Sequence, residues 1–297
     1  MAKAKKDKGP QLGQEEIASG IVGEVVDTQI EAFTEGALIE YGSHVVENRA
    51  IPDFRDGLKP VHRAILWTMY DLSLHHNKPY KKAARTVGDV IGRFHPHGDQ
   101  SAYGAMVTIV NTNIPLVDGF GGWGDHVDGA AAQRYTEARL SKFSDHFLLD
   151  PEYLAVVPKV KNFSNDAELP RLLPSKLPVQ LLVGSPTVPA YGIRAGNPSF
   201  AIEGVVKLVK MAIKGKTITP ELCHKHLQIQ LRYGGNCVAT DEDMLDFYRT
   251  GHGNLEFEPD HEINYSKKEF RILSTCPGRF SSSTTINSAL TKIGELK

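Results

Sequence analysis

The stretch PVHRAILWTMYDLSLHHNKPYKKAARTVGDVIGRFHPHGDQSAYGAMVTIV (60–110) decides how this chain folds. Pro60 suits the first turn of a helix, where its missing N–H costs nothing. VHRAILWTMYDLS (61–73) then points Ile65, Leu66, Met69 and Leu72 toward a core. KKAARTVGDVIGRF (81–94) predicts a second helix, and DQSAYGAMVTIV (99–110) a third with Asp99 as its N-cap. Three short helices with brief connections predict a helix-turn-helix unit.

Upstream, ENRAIPDFRDGLKP (47–60) reads as a turn-rich connection. Before it, Ile17, Ile21, Val25, Ile30, Phe33 and Leu38 recur at roughly helical intervals, which predicts one or two amphipathic helices over 14–47. Gly20, Gly23 and Gly36 weaken that helix. Its apolar stripe requires a surface to dock on. MAKAKKDKGPQ at the start is charged and precedes no apolar run, so it reads as a solvated tail rather than a secretory signal.

Downstream, a short apolar piece, IPLVDG (114–119), and a glycine loop lead to GAAAQRYTEARLSKF (129–143), which is expected to be helical. Prolines punctuate the chain from residue 151 onward. VQLLVG (179–184) looks strand-like, EGVVKLVKMAIKG (203–215) helical, and 226–272 alternates apolar and polar residues as antiparallel strands do. A domain boundary is expected near residue 150.

The 297 residues carry Lys+Arg 34 against Asp+Glu 35, a formal net charge of -1, which excludes a uniformly basic coat or a polybasic membrane binder. The charge is uneven, however. Residues 55–93 hold eight Lys/Arg against three acids, and 241–262 hold eight acids against one Arg. The first run is the place for a polyanion, although any such run can equally be a solvated helix face. Cys223, Cys237 and Cys276 are too scattered for a disulfide framework or a zinc knuckle, which suggests a reducing, cytoplasmic setting. No 18-residue apolar run exists.

Three motifs bear on chemistry. GFGGWG (119–124) formally fits the dinucleotide fingerprint, but the chain lacks the alternation of strands and helices that a doubly wound sheet needs, and a turning loop explains it as well. No G-x-x-x-x-G-K-[ST] occurs. FHPHGDQ (94–100) holds H-x-H-x-D, a spacing used by metal hydrolases, yet Gln100 stands where a further metal-binding residue is expected. The alternative is that Asp99 caps a helix while His95 and His97 face solvent or phosphate. QRYTEARLSKF (133–143) puts Arg134 beside Tyr135. A phenol ionises near pH 10, so it attacks a phosphodiester only where cations stabilise the phenolate and the pentacovalent phosphorus. Arginine supplies that charge in a geometry fitted to phosphate oxygens.

In this order, ENRAIPDFRDGLKPVHRAIL, KKAARTVGDVIGRFHPHGD, PLVDGFGGWG and AAAQRYTEARLSK resemble the DNA-breaking A subunit of type IIA topoisomerases, as in bacterial DNA gyrase or topoisomerase IV. The likeness runs from about Glu15 to Gly251 and is strongest in the first 150 residues. It implies an α+β fold: a disordered tail (1–13), an N-terminal helical arm (14–48), a winged-helix DNA-cleavage domain (49–150) and a partial strand-rich tower (151–297). Tyr135 matches the tyrosine that attacks DNA and holds its 5′ phosphate. Arg134 matches the arginine that stabilises the transition state, and Arg49 an arginine at the cleavage site. Lys59, His62, Arg63, Arg93, His95 and His97 match residues along the DNA path, and Pro189 falls where the family wedges an isoleucine between bases. The resemblance further implies a dimer acting on double-stranded DNA. It implies a B-type partner holding Mg²⁺ and ATP, on which the arm docks, with no metal bound by this chain.

Some positions depart from the pattern. Ala64 stands where a basic residue often contacts phosphate, and Gln100 and Gly104 replace a small hydroxyl residue and an acid that meet quinolone drugs. The span 108–115 is short, as in phage versions. Lys297 falls inside the expected tower, so a split gene with a second polypeptide supplying the remainder, a fragment or a degraded relic is expected. A non-catalytic DNA-binding module or decoy of such an enzyme is the alternative reading.

Overall fold

A computed structural model describes residues 29–125, 128–189, 194–253, 255–274 and 291. The tail, the first part of the arm and Cys276 lie outside the described residues. The chain forms two compact units, 1–44 and 45–297. In the first unit the arm is helical from Ile30, at the start of α1 (Ile30–Val45). A π-helical turn, Val46–Ala50, follows.

The second unit mixes helices with small antiparallel sheets, an α+β construction. Its first part is built on α2 (Pro60–Asp71), α3 (Ala83–Arg93) and α4 (Asp99–Val110). Pro60 begins α2 as expected, with Lys59 as N-cap. This central helix buries the run Arg63–Met69, whereas α3 buries only Ala83, Thr86, Val87 and Val90, a single helical stripe. On α4 the buried residues are Ala102, Tyr103, Met106, Ile109 and Val110. The N-cap of α4 is Gly98, and no side chain caps this end. Asp99 instead lies in the first turn, where its charge suits the helix dipole.

Beside the helices runs a three-stranded sheet of order β1-β3-β2, made of β1 (Lys81–Lys82), β2 (Val117–Phe120) and β3 (Glu137–Leu140). Val117 pairs with Leu140 and Phe120 with Glu137, while Lys81 pairs with Ala138. The expected helix over 129–143 is therefore corrected. In Glu137–Leu140, buried Ala138 and Leu140 alternate with part-exposed Glu137 and Arg139, a period of two. Helix resumes only at α5 (Lys142–Phe147), where Ser141 accepts from the Ser144 N–H at 3.1 Å.

Past α6 (Pro151–Leu154) come two short hairpins, β4 (Lys159–Lys161) with β5 (Glu168–Pro170), and β6 (Ser185–Pro189) with β7 (Arg194–Asn197). Between them VQLLVG proves helical, as α7 (Val179–Val183). Its buried Val179, Leu182 and Val183 have helical rather than alternating spacing. The expected helix over 203–215 is α8 (Ile202–Ile213), followed by α9 (Pro220–His226). Beyond it, antiparallel pairs form as expected, β8 (Asn236–Cys237) with β9 (Phe257–Glu258) and β10 (His261–Asn264) with β11 (Glu269–Ile272). A helix the alternation did not predict, α10 (Asp241–Thr250), interrupts them. Thr240 caps it, Asp241, Glu242 and Asp243 fill its first turn, and Gly251 at φ 71° closes it. Much of the acidic run is thus the solvated start of this helix.

Two apolar clusters hold the unit together. The larger gathers Leu58, Ile65, Leu66, Met69, Met106, Leu116 and Leu140 and reaches Leu173 and Val183. The smaller joins Leu182, Phe200, Val205, Leu208 and Leu227. No helix among the described residues is long and apolar enough to cross a membrane.

Candidate nucleic-acid interface

Arg134 and Tyr135 lie on a turn rather than on a helix. Tyr135 is 63% exposed. The Arg134 guanidinium carbon sits 4.6 Å from the Tyr135 ring centre, within cation–π range. The side chain projects freely while the backbone beneath it is fixed. The Ala83 and Ala84 N–H groups, which open α3, donate to the carbonyls of Thr136 (3.0 Å) and Gln133 (3.2 Å). The turn thus satisfies two donors that a helix start leaves without internal partners. The Tyr135 N–H donates to Ala132 O at 2.8 Å.

Behind the turn lies the glycine loop. A Cβ on Gly119 would meet Trp123 Nε1 at 2.6 Å, and Gly121 and Gly124 have φ of 95° and 80°. The Trp123 indole N–H is shared between Phe120 O (3.2 Å) and Glu137 O (3.1 Å). Glycine at 119 therefore makes room for an indole. Among the described residues no helix opens behind this loop, so the dinucleotide reading ends here.

A cavity of about 290 Å³ is lined by Arg49, Val61, His95, His97, Gly98 and Ser101. His95 and His97, expected along the DNA path, thus share one hollow with Arg49, expected at the cleavage site. His95 and His97 stack at 4.2 Å between ring centres with planes 26° apart. Stacked imidazoles do not aim their lone pairs at a common point, and Asp99 accepts from Gln133 Nε2 at 2.8 Å. The metal-hydrolase geometry is absent. No group of three His, Cys, Asp or Glu among the described residues converges as metal ligands. Burial first, then the charges of His97 and Arg49, push His95 down to about 4, so its imidazole is neutral at pH 7.

The start of α2 carries Lys59, His62 and Arg63, and they divide. Lys59 is half-buried with its ammonium pKa lowered by desolvation, and no ion pair engages it among the described residues. His62 is partly buried, and burial, with the charges of Lys59 and Arg63, pushes it down to about 3. Arg63 corrects the expectation of a DNA contact. It is 8% exposed, and its Nε and Nη2 donate to Asp56 Oδ2 (2.7 Å) and Oδ1 (3.0 Å). A guanidinium engaged by a wholly buried carboxylate is not open to phosphate, and removing either partner would leave a buried charge unpaired. Ala64, 2% exposed in the core, likewise leaves no surface from which a basic residue would reach phosphate.

Arg93 pairs with Asp71 at 2.6 Å and lies over the Phe94 ring. Pro189 ends β6, in register with Arg194. Among the eight cations of 55–93, Arg55, Arg63, Lys82 and Arg93 are held in ion pairs. Lys59, Lys78, Lys81 and Arg85 are in none among the described residues. The sequence reading missed Tyr103 and Thr136, whose hydroxyls meet beneath the tyrosine turn. Tyr103 carried only the signal of a core residue at helical spacing.

The profile of the DNA gyrase/topoisomerase IV family, for its A subunits, matches residues 49–295. The chain belongs to this family. It is similar to the DNA gyrase A subunit of Ureaplasma parvum, 37% identical over 267 residues that cover 87% of this chain and 31% of the relative. The DNA topoisomerase 4 A subunit of Synechocystis is 37% identical over 78% of this chain and 25% of its own length. The chloroplastic/mitochondrial gyrase A subunit of Arabidopsis thaliana is 32% identical over 94% of this chain and 30% of its length. The chain thus spans roughly a third or less of these gyrase and topoisomerase IV proteins. Both the Tyr135 turn and the Arg49–His95–His97 cavity fall within the matched residues.

Proposed function

We propose that this chain breaks and rejoins DNA as part of a type IIA topoisomerase, with Tyr135 as the nucleophile. One observation carries the reading: a phenol 63% exposed on a backbone-fixed turn, with the Arg134 guanidinium 4.6 Å from its ring centre. Tyr135 Oη attacks a backbone phosphorus and loses its proton. The 3′ oxygen leaves as a hydroxyl, and the 5′ phosphate stays on the tyrosine. One phosphodiester replaces another, so the same 3′ hydroxyl reverses the step and reseals the strand. Arg134 lowers the cost of the phenolate and of the charge developing on phosphorus. Arg49, Lys59, His95 and His97 contact the phosphate path, the neutral His95 by hydrogen bonding. His62, Arg93 and Pro189 border that path in a supporting role.

The helices α2–α4 with the sheet β1-β3-β2 support a winged-helix DNA-cleavage domain over 49–150, preceded by an arm over 14–48 and followed by a partial tower over 151–297. A second apolar cluster gathers around Phe200 and Leu208 in the later part, while the larger cluster crosses residue 150 to reach Leu173 and Val183. Among the described residues no group of carboxylates and histidines is gathered to hold Mg²⁺. Near the turn, Glu137 is paired with Lys82 and Asp99 with Gln133. We assign Mg²⁺ and ATP to a B-type partner, and the working unit to a dimer on double-stranded DNA, as membership of the gyrase/topoisomerase IV A-subunit family suggests.

The test combines the full-length protein with a B-type partner, Mg²⁺ and supercoiled DNA, followed by denaturant quenching. A protein–DNA adduct that disappears in Tyr135→Phe is expected. DNA binding without any adduct would overturn the reading in favour of a non-catalytic module.

A further inference from the structure

Tyr103 is a phenol the proposed chemistry does not use, yet it sits directly beneath the nucleophile's turn. It is 6% exposed on α4, and its hydroxyl donates to Ala131 O at 2.6 Å. That hydroxyl also lies 3.0 Å from Thr136 Oγ1, and Thr136 is wholly buried. A phenol has one proton. With that proton spent on Ala131, the Thr136 hydroxyl is the donor in the second bond. One buried oxygen therefore ties together residues 131 and 136, which bracket Gln133, Arg134 and Tyr135. The neighbouring bond from Gln133 Nε2 to Asp99 Oδ2 anchors the same turn to the first residue of α4.

We infer that Tyr103 and Thr136 are positioning residues for Tyr135, fixing the turn so that the phenolic oxygen is presented in line with the scissile phosphate. This rests on the proposed cleavage chemistry and adds to it. Neither residue is itself exposed to DNA, so their effect falls on the rate of attack and not on affinity. Two buried hydroxyls and one carbonyl form a chained network: loss of the Tyr103 hydroxyl takes this partner from both Ala131 O and Thr136 Oγ1, and loss of the Thr136 hydroxyl cuts the link to residue 136. A turn loosened by a fraction of an ångström lowers the fraction of near-attack geometries.

The experiment measures single-turnover cleavage and DNA Kd in the complete enzyme for Tyr103→Phe, Thr136→Val and Thr136→Ser. Tyr103→Phe and Thr136→Val are expected to slow cleavage about tenfold or more while leaving Kd within about twofold. Thr136→Ser, which keeps the hydroxyl, should retain most of the rate. The double variant Tyr103→Phe/Thr136→Val should be little slower than the slower single one, because both cut the same link. Unchanged rates in both hydroxyl-deleting variants would overturn the inference, as would rate losses matched by equal losses in Kd. Equal slowing by Thr136→Ser and Thr136→Val would do so too. If Tyr103→Phe does not fold, the Val/Ser comparison at 136 decides alone. An adduct that forms in the parent enzyme at Tyr135 keeps the cleavage reading intact whichever way these variants behave. Absence of that adduct defeats the reading itself.

Discussion

Asp56 is wholly buried and accepts from Arg63 Nε and Nη2, from the Leu58 N–H at 3.0 Å and from the Leu173 N–H at 2.9 Å. A carboxylate so placed is stable only with all its donors, and removing one partner leaves a buried charge alone. Asp56→Ala or Arg63→Met is expected to cost about 3–5 kcal/mol, read as a lower midpoint in urea unfolding. His62 governs acid stability in the same sense as a salt-bridged carboxylate, but over a higher pH window. Its folded value of about 3 lies below the ordinary 6.5, so between those values the unfolded chain binds the extra proton. The stabilising contribution is whole above about 6.5 and drains as pH falls toward 3. His62→Gln should flatten the fall in stability between pH 7 and 4.5 by about 1–2 kcal/mol, a figure discounted for partial exposure. The residues of the candidate site were legible as types but not as roles. Arg63 reads in the sequence like Lys59, and only the burial of Asp56 separates a core ion pair from a cation open to phosphate.

At the scale of elements, the three helices of 60–110 were legible because each combines an apolar stripe with a start or stop signal. The tyrosine segment was misread because alanines and arginine at 130–139 have high helix propensity, while the alternation of Glu137, Ala138, Arg139 and Leu140 is only four residues long. Pairing with β2 decides in favour of strand. VQLLVG was ambiguous for the reason that any five-residue apolar run is. The glycine loop followed a fold requirement that no motif states. Gly119→Ala would drive a Cβ to 2.6 Å from the Trp123 indole nitrogen and 2.9 Å from Val110 Cγ1. It should destabilise the unit by about 1–3 kcal/mol and shift tryptophan fluorescence as the indole leaves the carbonyls of Phe120 and Glu137. A variant with parental stability and emission would show that the loop yields more easily than its packing indicates.

For the molecule as a whole, the net charge of -1 averages over parts that behave differently. Four cations in 55–93 are consumed by neighbouring acids, and Lys59, Lys78, Lys81 and Arg85 are not. Phosphate contacts release counterions, so each should appear in the salt dependence of DNA binding. Lys59→Gln is expected to weaken binding for all sequences alike and to lower the slope of log K against log salt by about 1. Lys82→Gln, whose ammonium is already held by Glu137 at 2.9 Å, should change the slope much less. The central claim is covalent, and mass spectrometry tests it most directly. DNA cleaved by the assembled enzyme is quenched, trimmed with nuclease and digested with protease, and the nucleotide-bearing peptide is sequenced. The account predicts a 5′-linked nucleotide on Tyr135; a nucleotide on any other residue, or none under conditions where strands are cut, would contradict it.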